Sequence, residues 1–367
     1  MKLSRQTIGL GIALVLIGGV ITFLELKQSN RSPAPAGSSA VAVTDRVNKA
    51  ARFDPAREII NPSGFVNTDG ITIGELIGTK VILVDFWTYS CINCQRTLPY
   101  LTSWYQKYRD QGLEIVGVHT PEFEFEKEIE NVRQAARQWG IKYPVVLDND
   151  YGTWNAYANR YWPHKYLIDV DGYIVYDHIG EGGYEETERK IQELLEERKT
   201  VLNEAGSVPK DIAQPAAEAV TDAMPRSPEI YFGAARNQYL GNGQSGRLGI
   251  QMFDLPVDLK LNTLYLAGDW DLQNEYAQNS AAGAKIVFRY QAQKVFIVAH
   301  ADAPVRLRLT LDGQPVTSAA GSDVTDGVVT VKDSRLYRLI EDAAWAEHTL
   351  EIEVLDAGLQ AFTFTFG

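Results

Sequence analysis

The chain is 367 residues long, 45% hydrophobic and 22% charged, which is enough apolar material for two or three packed domains. Lys and Arg total 35 against 47 Asp and Glu, a net charge of −12, and this excludes the basic footprint that a general nucleic-acid binder needs. The 2 cysteines are Cys91 and Cys94, so neither a multi-bridge disulfide scaffold nor a four-cysteine zinc site can be built.

Lys2 and Arg5 precede an uncharged run over residues 8–24 that Glu25 and Lys27 close. At about 1.5 Å per residue the run reaches roughly 25 Å, the short end of a membrane span. No small-residue cleavage pattern follows directly, which favours an uncleaved signal anchor over a cleaved signal. The basic flank keeps the N-terminus in the cytoplasm and the rest of the chain outside it. Residues 29–42 are rich in Ser, Pro, Ala and Gly and read as a flexible tether.

Strands and helices then alternate. Residues 81–86 form a buried strand, 95–110 a helix, 114–119 a strand, 127–139 an amphipathic helix, and 145–147 a short strand. Residues 165–170 and 173–178 flank Asp171-Gly172 as a hairpin, and 185–203 form a charged helix. The pattern is that of an α/β domain with a central sheet. A second linker, rich in Ala and Pro, follows at 207–227. Beyond it come short strand-like runs at 263–268, 284–291, 294–300, 305–311, 327–331, 335–340, 348–354 and 361–366, separated by turn signals. Such spacing indicates an all-β sandwich. Phe362, Phe364 and Phe366 alternate, which predicts one aromatic face in its core.

Cys91-Ile92-Asn93-Cys94 follows a buried strand and opens a helix. The first thiol then lies at a helix N-terminus, where backbone N–H groups and the macrodipole favour the thiolate. Cys91 is the candidate nucleophile and Cys94 the resolving thiol. Half a zinc site and an inert disulfide are the competing readings. The five histidines lack ligand spacing, and structural bridges usually close longer loops. No metal, nucleotide or haem motif stands out, and no cofactor is expected. Asp269, Asp271 and Glu275 do not have calcium-loop spacing.

The segment Ile82-Leu83-Val84-Asp85-Phe86-Trp87, three residues and then Cys-x-x-Cys resembles the thioredoxin active-site region. Pro99 matches the proline of the following helix. Trp162-Pro163, the strand after it and Asp171-Gly172 resemble the cis-proline strand of TlpA-like redoxins. Residues 87–94, 118–123, 161–169 and 362–367 further resemble the periplasmic half of DipZ-type proteins, a thioredoxin-like domain joined to a sandwich like a carbohydrate-binding module. Together with the composition, the resemblance divides the chain into a signal anchor or transmembrane helix at 1–28, read from the apolar run alone, a linker at 29–50, a thioredoxin-like domain at 51–206, a linker at 207–227 and a jelly-roll-like β-sandwich at 228–367. DipZ-type proteins carry a polytopic electron-transfer domain in front. With one anchor here, a separate membrane electron donor of the CcdA or DsbD kind is expected.

The resemblance also implies roles. Asp85 is a buried proton acceptor for Cys94, with a solvent-exposed strand-end carboxylate as the alternative. Pro163, if cis, sets the Trp162 backbone beside the sulfur. Glu122 is either an acid near the cysteines or a surface glutamate. Trp87, Tyr89 and Trp162 are candidates for the substrate groove, and Trp87 equally for the core. The activity expected is a membrane-anchored thiol–disulfide oxidoreductase in the periplasm, reducing envelope protein disulfides. A DsbA-like oxidant and a peroxiredoxin-type peroxidase are the alternatives. The peroxidase shares Thr88 but has a proline where Val84 stands. A glycan-binding role for the sandwich rests on Tyr231, Trp270, Tyr276 and Trp345, which are as readily core or loop aromatics.

Overall fold

The computed structural model describes residues 49–218 and 227–367. The expected anchor at 1–28, the tether up to residue 48 and residues 219–226 of the second linker lie outside the described residues. The chain divides after Phe53, and residues 54–367 form one compact unit. Among the described residues no helix is long and apolar enough to cross a membrane.

The first part of this unit runs β1 (Gly64–Val66), α1 (Ile73–Leu76), β2 (Val81–Trp87), α2 (Ile92–Tyr108), β3 (Leu113–His119), α3 (Ile129–Gln138), β4 (Val145–Leu147), α4 (Gly152–Ala156), β5 (His164–Ile168), β6 (Ile174–Ile179) and α5 (Tyr184–Leu202). Its six strands lie in the order β1-β4-β3-β2-β5-β6. β2 is parallel to β3, and β3 to β4, while the other pairs are antiparallel. Every residue of β2 is buried, which is why it reads as a near-continuous apolar run. Val81, Leu83 and Trp87 face the core shared with Leu98, Leu101 and Trp104 of α2 and Ile191 and Leu194 of α5. Ile82, Val84 and Phe86 face Trp154 and Tyr157 on the other side. The period of two places Asp85 on the α2 face. Helix α2 begins three residues before the expected position because Cys91 is its cap.

The second part runs β7 (Ile230–Tyr231), β8 (Gly249–Phe253), β9 (Thr263–Leu272), β10 (Ala277–Asn279), β11 (Ala284–His300), β12 (Val305–Leu311), β13 (Gln314–Pro315), β14 (Val328–Val331), β15 (Arg335–Val354) and β16 (Gln360–Phe366). Two expected strand pairs prove to be single long strands, β11 and β15, paired along their length. Irregularities at Ala292/Lys294 and Val295/Phe296 absorb the polar residues that read as turns. Instead of two separate sheets there is one 10-stranded hydrogen-bonded sheet. It folds over a single core that joins Phe253, Trp270 and Leu272 to Ile297, Leu307 and Phe364.

The expected aromatic face on the last strand is broken at one residue. Ala299 pairs with Ala361 and Val298 with Thr363, so Phe362 is an extra residue in the ladder. Phe364 and Phe366 stay in the β core. Phe362 instead enters a separate cluster with Ile92, Phe123, Phe296, Val298 and Leu336. Its ring lies 5.1 Å from that of Phe123 and 4.8 Å from that of Phe125. This is the apolar seam between the two parts. Beside it Glu218 accepts from Arg96 of α2 at 3.0 Å, from Arg338 of β15 at 2.9 Å and from Lys294 of β11. Burial raises the Glu218 carboxyl, but the three cations outweigh it and hold the group at about 2.

Phe362→Ala removes the ring that fills the seam. The expected loss is about 3–5 kcal/mol of unfolding free energy in a urea titration of the full chain. A loss below about 1 kcal/mol would contradict the packing described.

Candidate active site

The site begins where β2 ends. Cys91 caps α2 in an extended conformation, and the Cys94 amide donates to its sulfur at 3.3 Å. Cys91 is half-buried and Cys94 is buried one turn behind it. The Trp162–Pro163 peptide is cis. The Trp162 carbonyl oxygen lies 4.0 Å from the Cys91 sulfur, and the Trp162 indole donates to the Thr120 carbonyl at 3.1 Å.

Asp85 is 1% exposed, and neither carboxylate oxygen has a hydrogen-bond partner among the described residues. Its Cα partner on β5 is Lys165, which is 0% exposed and donates to the Gly180 carbonyl at 2.9 Å. Burial pushes the Asp85 carboxyl up to about 7 against the pull of Lys165. Burial pushes the Lys165 ammonium down to about 8 against the pull of Asp85. The Cys94 thiol is pushed well up, first by its own burial and then by its bond to Cys91. On β3, Gly117 is the Cα partner of Asp85 on the other side. A Cβ there would come within 3.0 Å of the Trp87 indole nitrogen and 3.1 Å of Tyr143, so glycine lets these rings close over the buried groups.

Cys91 opens into a cleft of about 460 Å³. One wall is Ser90, Asn93, Arg160 and Trp162, and the other is Tyr231, Arg236, Thr363 and Thr365 of the β-rich part. Both parts of the chain therefore line the approach to the sulfur. Behind it, Glu126 is 0% exposed and accepts from the Ser90 hydroxyl at 2.5 Å.

The family comparisons divide the chain at the same place. Residues 78–174 match the family described as "Thioredoxin-like", and residues 227–367 match "Thioredoxin like C-terminal domain". Thiol-disulfide oxidoreductase ResA of Bacillus cereus is 31% identical over 134 residues, 35% of this chain and 74% of that protein. The chain belongs to the thioredoxin-like thiol–disulfide oxidoreductases. Protein DipZ of Mycobacterium bovis is 39% identical over 311 residues, which cover 83% of this chain. The chain spans 42% of the length of DipZ. A solved structure titled "Solution Structure of a Thioredoxin-like Protein in the Oxidized Form" is 28% identical and covers 40% of this chain and 97% of its own, with a TM-score of 0.37.

Among the expected site residues, Cys91, Cys94, Asp85, Trp162 and Pro163 lie together around the end of β2 and the start of α2. Trp87 does not line a groove. It is 0% exposed in the core, edge-on to His119 at 5.1 Å. Tyr89 is 6% exposed and stacks on His119 at 5.7 Å. It borders a different cleft, with Asn131, His300 and Arg335. The odd residues of β2 point under α2, and the chain beyond β2 turns Tyr89 inward as well. Glu122 lines the Cys91 cleft, but its carboxylate accepts from the Tyr231 hydroxyl and from Arg236, each at 2.8 Å. It is neither a free acid beside the sulfur nor a loose surface group.

The four aromatics offered as a sugar platform are drawn into packing, Tyr231 and Tyr276 against the seam cluster and Trp270 and Trp345 in or on the β core. Trp270 is 0% exposed in the β core. Tyr276 packs on Phe362 at 5.2 Å, Tyr231 bonds Glu122, and Trp345 packs against the β core. Glu275 accepts from the Glu124 amide at 2.9 Å, and Asp271 from Gln273 at 2.8 Å, so these two acids are engaged in other bonds. Among the described residues the acids close enough to share an ion are Asp169, Asp171 and Glu197. Asp169 accepts from the amides of the β5–β6 turn. Lys165 and Glu126 escaped the sequence reading. Lys165 meets Asp85 only through the β2–β5 register, and Glu126 is one of five glutamates between residues 122 and 130.

The raised Asp85 carboxyl carries a pH signature. From about pH 4 to 7 the folded chain keeps a proton that the unfolded chain has lost, so this group lowers stability as pH rises. Asp85→Asn should gain on the wild type by about 1 kcal/mol per pH unit across that window and level off above it. Urea titrations at several pH values measure this, and a pH-independent difference would contradict the burial of a neutral carboxyl.

Proposed function

We propose that the protein is a dithiol reductase of extracytoplasmic protein disulfides, held at the membrane by its N-terminal apolar segment. The observation that carries this reading is the arrangement of the two thiols. Cys91 faces a cleft at a helix start, while Cys94 is sealed behind it beside an unsatisfied carboxyl.

The chemistry follows from the two environments. The Cys91 thiolate attacks one sulfur of the substrate disulfide, and the other substrate sulfur leaves as a thiolate. A mixed disulfide results. Cys94 gives its proton to the Asp85 carboxylate and attacks the Cys91 sulfur. The substrate's second thiol leaves, and the pair is now a disulfide. Two electrons have passed to the substrate. A carboxyl at about 7 is half ionised at neutral pH, so it can accept this proton and return it. Lys165 limits the cost of the charge that forms there. A dithiol of a separate membrane donor, of the CcdA or DsbD kind, restores the reduced pair.

The direction of electron flow is argued from burial. Burial, the bond to Cys91 and the Asp85 charge all oppose the Cys94 thiolate, and the hydrogen bond from the Thr88 backbone only partly offsets them. A dithiol whose ionised form is disfavoured yields its electrons readily, unlike DsbA, whose reduced form is stabilised. The peroxidase alternative gains no support. Thr88 is 0% exposed with its hydroxyl toward His119 at 3.4 Å, and Val84 lies in the strand core. The β-rich part serves in this reading as a wall of the cleft. The anchoring rests on the uncharged run at residues 8–24 with its basic flank.

Reduction of insulin disulfides by the full chain, with dithiothreitol as electron source, tests the reading. Cys91→Ser should abolish turnover, and Cys94→Ser should stop at a stable mixed disulfide. Asp85→Asn should slow its release by about 100-fold at pH 7. Turnover that survives Cys91→Ser, or hydrogen peroxide consumption that outruns disulfide reduction, would overturn it.

A further inference from the structure

Glu126 plays no part in the exchange described, yet it is built into the site. Its side chain is 0% exposed. One oxygen accepts from the Ser90 hydroxyl at 2.5 Å, and the other from the amides of Glu122 at 2.6 Å and Phe123 at 3.1 Å. Ser90 is itself 1% exposed and directly precedes Cys91. Burying a carboxyl is costly, and here the bonds that satisfy its oxygens tie two segments together. One presents the reactive sulfur. The other is the turn at residues 122–125 that the β-rich part grips through Arg236, Glu275 and Phe362.

We propose that Glu126 is a positioning residue for Cys91, which fixes the sulfur through Ser90 and whose charge state governs how readily that sulfur reacts. Burial raises the carboxyl to about 7, Glu122 adds to the rise, and the hydroxyls of Ser90 and Thr88 resist it. The group is therefore neutral in mild acid and charged in mild alkali. Once charged, it opposes a second negative charge on the neighbouring residue. The titratable groups around it are Glu122 on its own turn, Tyr89 from the cysteine segment and Tyr151 from the loop before α4. Burial holds both tyrosine hydroxyls above their ordinary range, so they stay neutral where Glu126 titrates. Arg236 reaches the cluster through Glu122, and buried His119, pushed down to about 3, is neutral throughout.

The proposal deepens the exchange reading but is tested without it, through alkylation of Cys91 by iodoacetamide in a Cys94→Ser background of the full chain. Between pH 5.5 and 8.5 the rate for Glu126→Gln, divided by the rate with Glu126 intact, should climb from about one to about fivefold, with a midpoint near 7. A merely structural role would give a ratio that is constant with pH, and that result would overturn the proposal. If Glu126→Gln does not fold, Ser90→Ala decides. Losing the hydroxyl that favours the charged carboxyl should move the step in the alkylation profile to higher pH, and an unmoved step would overturn the proposal. Loss of insulin reduction with the alkylation step intact would count against the exchange reading alone.

Discussion

Asp85 is the constraint from which the rest of the site follows. A carboxyl on the central strand of a sheet covered on both faces cannot reach water, and no hydrogen bond among the described residues replaces it. Its neutral form is therefore the comfortable one, and charge appears there only when a reaction supplies a reason. Lys165 on the adjacent strand keeps that charge within reach by lowering its cost. The same strand-to-helix turn that buries Asp85 raises Cys91 to the helix start and leaves Cys94 behind it. One local geometry thus yields an accessible thiol, a guarded thiol and a buried carboxyl beside it.

The β-rich part is more than an appendage. A single extra residue in the last strand swings Phe362 out of the β core and into the aromatic pair Phe123–Phe125. Those phenylalanines lie on the turn that carries Glu122 and Glu126. The β-rich part therefore reaches the active site twice, through the wall of the cleft and through this turn. Glu218 ties the linker between the two parts to α2, β11 and β15. In a chain with this seam, what approaches Cys91 must pass between two surfaces rather than dock on one.

Much of this was legible in the sequence. An apolar strand leading into Cys91-Ile92-Asn93-Cys94 specifies the turn, the cap and the buried carboxyl, because they are local and periodic. The main helices and the β5–β6 hairpin fall where spacing and turn residues put them. What stayed hidden depends on pairing across distance. Lys165 matters only once β5 lies beside β2, and Glu126 stands apart from its glutamate neighbours only once the turn folds inward. Trp87 and Tyr89 were candidates for the groove because aromatics near a cysteine suit either face, and alternation along β2 decides for the interior in the case of Trp87. The fused strands β11 and β15 read as four because bulge residues imitate turns. Phe362 read as a core residue because a ladder irregularity leaves no mark in an alternating pattern.

The reduction potential of the Cys91–Cys94 pair in the full chain, measured by equilibration with glutathione or dithiothreitol buffers, tests the central claim most directly. A buried resolving thiol beside an unsatisfied carboxyl predicts a value near that of thioredoxin, about −270 mV. A value near that of DsbA, about −120 mV, would mean that the reduced pair is stabilised after all and would contradict the account.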